Sequence, residues 1–145
     1  MNDIYIEHID HTGDAGLRIR AGSLTDLLTV CTQQMVRLIC PEGRIRRSLA
    51  RPVQVEGADL VELFINWLSE VNSLMSIHYE IYDVFTIASL SLPDDLPLQV
   101  KGTAQGEPVD PERHHIALEI KAVTFHEAYV RQTEDVWECQ VIFDL

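Results

Sequence analysis

Alternation of apolar and polar residues, together with β-branched and aromatic residues, predicts eight strands along the chain. The alternating or β-rich segments are residues 4–9, 17–20, 52–56, 79–92, 98–104, 116–121, 128–132 and 136–143. The last two segments are joined by a short polar stretch, which predicts a hairpin. Turn-forming residues separate most of the others. The pattern is typical of antiparallel sheets.

Two segments have apolar residues at helical spacing instead. The first begins at Ser23 and the second at Asp59, and each starting residue is a good N-cap with an acidic residue three positions on. Pro41 and Gly43 are expected to end the first helix. The apolar faces are Leu24, Leu27, Leu28, Cys31 and Met35 in the first helix, and Leu60, Leu63, Phe64, Trp67, Leu68, Val71 and Leu74 in the second. Two amphipathic helices packed on a mostly antiparallel sheet make an α+β fold.

The two helix starts resemble each other. Residues 23–28 and 59–64 share the order cap, Leu, any residue, acid, Leu, apolar residue, and each follows a short strand and a glycine. Capping preferences alone could produce this match. An internal strand–helix duplication is the other explanation, and it is the one we predict.

Composition limits the function. The chain has 145 residues, of which 46% are hydrophobic, and this suits a single domain over residues 1–145. It has 11 basic and 23 acidic residues, for a net charge of −12. Nucleic-acid affinity comes mainly from cations that neutralise phosphates, so direct binding of nucleic acid or of a membrane surface is not expected. A basic protein partner or a divalent cation fits this charge better.

Three cysteines, Cys31, Cys40 and Cys139, have no metal-binding spacing, and we expect them to be small buried apolar residues. The first ten residues lack the features of a signal peptide, and no stretch has transmembrane length. We therefore expect a cytoplasmic location.

The stretch DHTGDAG, residues 10–16, is the richest in candidate chemistry. Asp10, His11 and Asp14 could serve a metal ion or an acid–base pair. The same residue types are also what a tight turn needs, and we expect the stretch to be a loop between two strands. Elsewhere no nucleophile motif or phosphate-binding glycine loop is present. His114 and His115 are predicted to be a solvent-exposed pair.

The end of the chain adds further oxygens. Asp144 and Leu145 offer a side-chain and a terminal carboxylate at adjacent positions. If the last strand lies beside the first two, Asp14 joins them. Several hard oxygens in one place repel one another and favour a hard cation such as Ca²⁺ or Mg²⁺, and a ligand set of oxygens without cysteine argues against zinc.

Motifs along nearly the whole chain resemble the archease family. They are DHTGDAG at 10–16, GSLTDLL at 22–28, GADLVELFINWLSE at 57–70, GE at 106–107, IKAVTFHEAYV at 120–130 and VIFDL at 141–145. The family usually has Ala at the position of Gly13, often Tyr at that of Phe125, and Ile at the last position. These departures leave the carboxylates in place.

The resemblance implies the archease fold and a role as protein cofactor of an RtcB-type RNA ligase in tRNA splicing and RNA repair. An archease promotes GTP-dependent guanylylation of the ligase and its multiple turnover. The residues matching the family's metal ligands are Asp14 and Asp144, with an oxygen of Leu145, and the ion is expected to be calcium, with magnesium or manganese as alternatives. By the same comparison Lys121, Asp10 and His11 are expected to serve partner activation. GTP would be met only through the ligase.

Two other functions stay open at this point. A metal-dependent hydrolase could use Asp14 and Asp144 as ligands and His11 as base. A general chaperone would expose an apolar patch. An activator without catalytic activity of its own is the function we expect.

Overall fold

The computed structural model describes residues 4–11, 13–91, 94 and 97–145, and for His11 the backbone alone. Seven strands and two helices follow one another as β1 (Tyr5–His11), β2 (Asp14–Ala21), α1 (Leu24–Ile39), β3 (Leu49–Gly57), α2 (Leu60–His78), β4 (Glu80–Leu90), β5 (Leu98–Pro108), β6 (Ala122–Thr133) and β7 (Val136–Asp144). This confirms the predicted α+β class.

The strands are divided between two antiparallel sheets. One has the order β1-β2-β7-β6 and the other β3-β5-β4. The predicted terminal hairpin is confirmed as β6 and β7, and β7 pairs on its other edge with β2. The end of the chain therefore lies beside its beginning, as the candidate metal site requires.

Both predicted helix caps are confirmed. The Ser23 hydroxyl accepts a hydrogen bond from the Asp26 amide, and the Asp59 carboxylate accepts one from Glu62. Tyr79 ends α2 in the left-handed conformation. The matching caps agree with an internal duplication, which stays a prediction.

One apolar core joins the helices to both sheets. Each helix contacts strands of both sheets, and Trp67 of α2 is fully buried and donates a hydrogen bond to Thr32 of α1 at 3.0 Å. Cys31, Cys40 and Cys139 are buried, as predicted. Neither helix has the length and hydropathy that crossing a membrane would require, over the part of the chain that the structure describes.

Residues 116–121 do not form the predicted strand. Strand β6 begins at Ala122, which is the partner of Asp144, the last residue of β7. Since β7 ends there, it has no further residues with which residues 116–121 could pair. Of the alternating apolar residues, Ile120 is buried in the core, Leu118 packs against the core and Ile116 is exposed. Residues 114–121 are in neither a helix nor a strand.

Candidate metal and partner site

The DHTGDAG stretch is mostly strand rather than the predicted loop. Strand β1 continues through His11 and β2 begins at Asp14, so two residues connect them. Gly13 has φ +79°, a backbone conformation that glycine adopts readily and that other residues rarely adopt. Thr12 lies outside the described residues. The tight turn places Asp14 at the end of the sheet.

Asp14 and Asp144 are directly opposite each other in the β2–β7 ladder. Side chains at directly opposite positions of antiparallel strands lie on the same face, with their Cβ atoms about 5 Å apart. The structure thus brings together two carboxylates from opposite ends of the chain. We call Asp14 and Asp144 the carboxylate pair.

The carboxylate pair is accessible to solvent, and its negative charge is not balanced by a cationic side chain among the described residues. Asp14 is half-buried and Asp144 is exposed. Neither side chain has a hydrogen-bond or ion-pair partner among the described residues. Elsewhere on the same face, carboxylates are matched with cations: Glu7 pairs with Arg18, and Glu138 with Arg20. Two adjacent unmatched carboxylates fit a divalent cation, whose charge would remove their repulsion.

Asp10 and His11, which were expected to serve partner activation, have different positions relative to the carboxylate pair. Asp10 is opposite Ala15, whose side chain is on the buried face, so the pleat directs Asp10 away from the carboxylate pair. His11 is opposite Asp14, but its side chain is outside the described residues. Among the described residues no group of three or more His, Cys, Asp and Glu is placed to hold a metal ion. Completing a coordination shell would therefore take main-chain oxygens, water or a partner's groups.

Main-chain hydrogen bonds link the remaining site residues. The Lys121 amide donates to the Asp144 carbonyl at 2.8 Å, and the Leu145 amide donates to the Gly13 carbonyl at 3.2 Å. The carbonyl of Asp144 and the amide of Leu145 belong to one peptide group. One peptide therefore connects the start of β6 to the turn before Asp14.

Lys121 joins the site through its backbone and also borders a second feature. With residues of α2 such as Asn72 and Ser76, it lines a cavity of about 480 Å³. Its neighbour Ala122 is the ladder partner of Asp144. Lys121 itself precedes the first residue of β6 and is exposed.

Sequence reasoning missed a buried ionic cluster behind this segment. The prediction that His114 is solvent-exposed is wrong: it is 3% exposed and lies against Glu107, which is 4% exposed. The amide of Asp110 donates to Nδ1 of His114 at 2.8 Å, so Nε2 carries the proton that faces the Glu107 carboxylate at 3.1 Å. His115 is exposed. No pattern in the sequence signalled this burial, because the alternation along residues 98–104 would place position 107 on the polar face of the strand.

Arg113 and Glu107 form an ion pair in this cluster. The hydrogen bonds from Arg113 lower the pKa of Glu107 to about 2, against the opposing effect of burial and with help from the Arg46 amide and His114. Glu107 therefore remains ionised at neutral pH and fixes the chain that leads to Lys121.

Comparison with known proteins identifies the family to which this chain is similar. The sequence model of the archease protein family matches residues 6–145. A protein archease of Methanopyrus kandleri is 33% identical over 139 residues, which cover 96% of this chain and 98% of that protein. A protein archease of Methanosarcina acetivorans is 28% identical, with coverage of 96% and 94%.

Two solved structures have the same fold. The solution structure of protein 1598 of Methanobacterium thermoautotrophicum superposes with a TM-score of 0.82 at 27% identity, covering 97% of this chain and 98% of that one. The crystal structure of an archease from Thermotoga maritima, described as a possible chaperone, superposes with a TM-score of 0.62 at 17% identity and 94% coverage of both chains. None of these names is that of an enzyme. On the family match and the curated relatives, this chain belongs to the archease family.

Proposed function

We propose that this protein is a metal-binding cofactor of an RtcB-type RNA ligase, and that it promotes guanylylation and repeated turnover of the ligase in tRNA splicing and RNA repair. The observation that carries the proposal is the carboxylate pair, Asp14 opposite Asp144, on an accessible sheet end where no cationic side chain among the described residues neutralises it. Membership of the archease family supports it.

The residues present fit a hard divalent cation, with calcium as our first choice. Asp14 and Asp144 offer carboxylate oxygens, and Leu145 has a main-chain oxygen one residue further along. Oxygen ligands of this kind suit calcium, magnesium or manganese. When bound, the cation would supply a positive charge that polarises and neutralises phosphate oxygens of a nucleotide.

Main-chain hydrogen bonds of this chain set the position of the carboxylate pair. The ladder between β2 and β7 holds the two carboxylates at a fixed separation, and the Asp144–Leu145 peptide ties them to the start of β6. Because Asp14, Asp144 and Leu145 would not fill the coordination shell of a bound cation, groups from the ligase could complete it. A protein with a net charge of −12 approaches a basic ligase surface favourably and an RNA backbone unfavourably. Activation is therefore a protein–protein event that needs no RNA held by this chain.

A multiple-turnover ligation assay tests the proposal. Substoichiometric ligase should stall after about one turnover alone and continue when the wild-type protein and calcium are added. Asp14→Asn and Asp144→Asn should both fail to restore turnover although they remain folded. Full activity of both variants would refute the role of the carboxylate pair.

The same preparation separates the other two functions. A hydrolase would turn over phosphoester substrates without any ligase. The Thermotoga maritima relative is described as a possible chaperone. A chaperone would suppress aggregation of unrelated proteins to the same degree in wild type and in Asp144→Asn. Either result without ligase activation would replace the proposal.

A further inference from the structure

The main-chain connection through the site continues onto helix α2. The side-chain amide of Asn72 donates to the Ile120 carbonyl at 2.9 Å. That carbonyl and the Lys121 amide belong to one peptide group, and the Lys121 amide donates to Asp144. The hydrogen bonds thus run in series from Asn72 through the 120–121 peptide and the 144–145 peptide to Gly13. We call this series the peptide relay.

We infer that Asn72 is a positioning residue, which fixes the Lys121 backbone and, through the peptide relay, the carboxylate pair. The inference rests on the proposed function for its consequence in activation, but its structural part stands alone. Hydrogen bonds in series polarise one another, so loss of the first donor weakens those that follow.

Few other contacts can replace Asn72. Residues 116–121 have no strand partner that would hold them in a ladder, because β7 ends at Asp144. Asn72, Ile120 and Lys121 also line the cavity of about 480 Å³, so one side of this segment borders open space. The next main-chain attachment toward the N-terminus is the Ala117 amide, which donates to the Ile39 carbonyl at 2.8 Å. Without Asn72 the peptide next to Lys121 loses its link to α2.

The same helix provides a matched control. Asn66 of α2 also donates from its side-chain amide to a main-chain carbonyl, that of Glu56 at 2.8 Å. Its acceptor is in β3 of the other sheet, away from the peptide relay. Asn66→Ala and Asn72→Ala therefore remove the same kind of bond from the same helix, and any difference between them reports position and not general stability.

Amide hydrogen exchange measures the structural part without ligase or metal. In Asn72→Ala we expect the Lys121 and Leu145 amides to exchange at least tenfold faster than in wild type, while amides of β3 remain unchanged. Asn66→Ala should leave Lys121 and Leu145 unchanged. Asn72→Asp, which has an acceptor where the donor was, should have at least the effect of Asn72→Ala. Equal protection of Lys121 in wild type and Asn72→Ala would overturn the inference.

Function is measured in parallel. If the proposed function holds, Asn72→Ala should activate the ligase at least fivefold less well than Asn66→Ala at equal melting temperature. Equal activation by the two variants, with faster Lys121 exchange in Asn72→Ala, would overturn the positioning role in activation. If wild type itself fails to activate, the exchange data still decide the structural part.

Discussion

Replacing Asp144 with Asn should stabilise the metal-free protein and destabilise the metal-bound one. Asp144 lies directly opposite Asp14, and neither carboxylate has a partner among the described residues. Asparagine keeps the shape of the side chain and removes its charge. The two states should therefore respond in opposite directions.

The magnitude follows from the ladder geometry. Two unit charges about 5 Å apart repel each other by about 0.8 kcal/mol in water, and like charges directly opposite in a sheet destabilise it by a similar amount. Asp144→Asn should therefore raise the free energy of unfolding in a chelator by about 0.8 kcal/mol. A ligand at 100 times its Kd stabilises a protein by about 2.7 kcal/mol. At that calcium concentration wild type should exceed the variant by roughly 2 kcal/mol.

Urea denaturation in EDTA and in calcium measures both effects, with the Kd of wild type set by calorimetry. Asp135→Asn is the control, because Asp135 is exposed in the β6–β7 turn at the other end of the sheet. This control removes the same charge from a chain of net −12 without touching the pair. The advantage of Asp144→Asn in EDTA should shrink at high salt, which screens exposed charges. A variant that is less stable than wild type in EDTA, or that gains as much from calcium, would refute the reasoning.

Two further predictions concern the segment behind the site. Lys121→Ala should lose activation of the ligase and keep calcium affinity within about twofold, because the side chain borders the cavity and not the carboxylate pair; a parallel loss in calorimetry would contradict this placement. Glu107→Gln should cost roughly 2 kcal/mol at pH 7, because it weakens charge-assisted hydrogen bonds to a buried carboxylate. The pKa of Glu107 is lowered to about 2, so its contribution is full above the unfolded-state value near 4.5 and is lost as the pH falls from there through about 2; denaturant midpoints across that range should show wild type and variant converging, and a constant difference would be contrary to the reasoning.

Much of the local structure could be predicted from the sequence because it depends on neighbours in the chain. Both helix starts were predictable since a cap and the amide that donates a hydrogen bond to it are three residues apart, as Ser23 and Asp59 illustrate. The β6–β7 hairpin follows from two alternating runs and a short turn. These features need no information about distant partners.

The failures have two physical causes, which are the lack of a strand partner and the pairing of a buried polar side chain. Residues 116–121 alternate as a strand does, but β7 ends at Asp144 and leaves them unpaired. His114 was predicted to be exposed, whereas Glu107 and the Asp110 amide satisfy both ring nitrogens and allow its burial. The pattern of apolar and polar residues shows neither the missing strand partner nor the pairing of the His114 ring.

The candidate site lies between these cases. The strand pattern indicated that Asp14 could join Asp144 only if the last strand lay beside the first two, and the structure has β7 paired with β2 in the sheet that also contains β1. The roles of the residues came from resemblance to the archease family. The hydrogen bond from Asn72 had no sequence signal, because an asparagine on a helix face is equally suited to solvent.

Guanylylation of the ligase in a mixture without RNA tests the central claim most directly. Purified ligase, radiolabelled GTP and a divalent cation are combined with wild-type protein or with Asp144→Asn, and GMP transferred to the ligase is counted over time. We expect wild type to accelerate transfer by at least tenfold, with less acceleration as salt rises, and Asp144→Asn to leave it at the rate of ligase alone. Equal rates with and without the wild-type protein, or acceleration that appears only after RNA is added, would contradict the account.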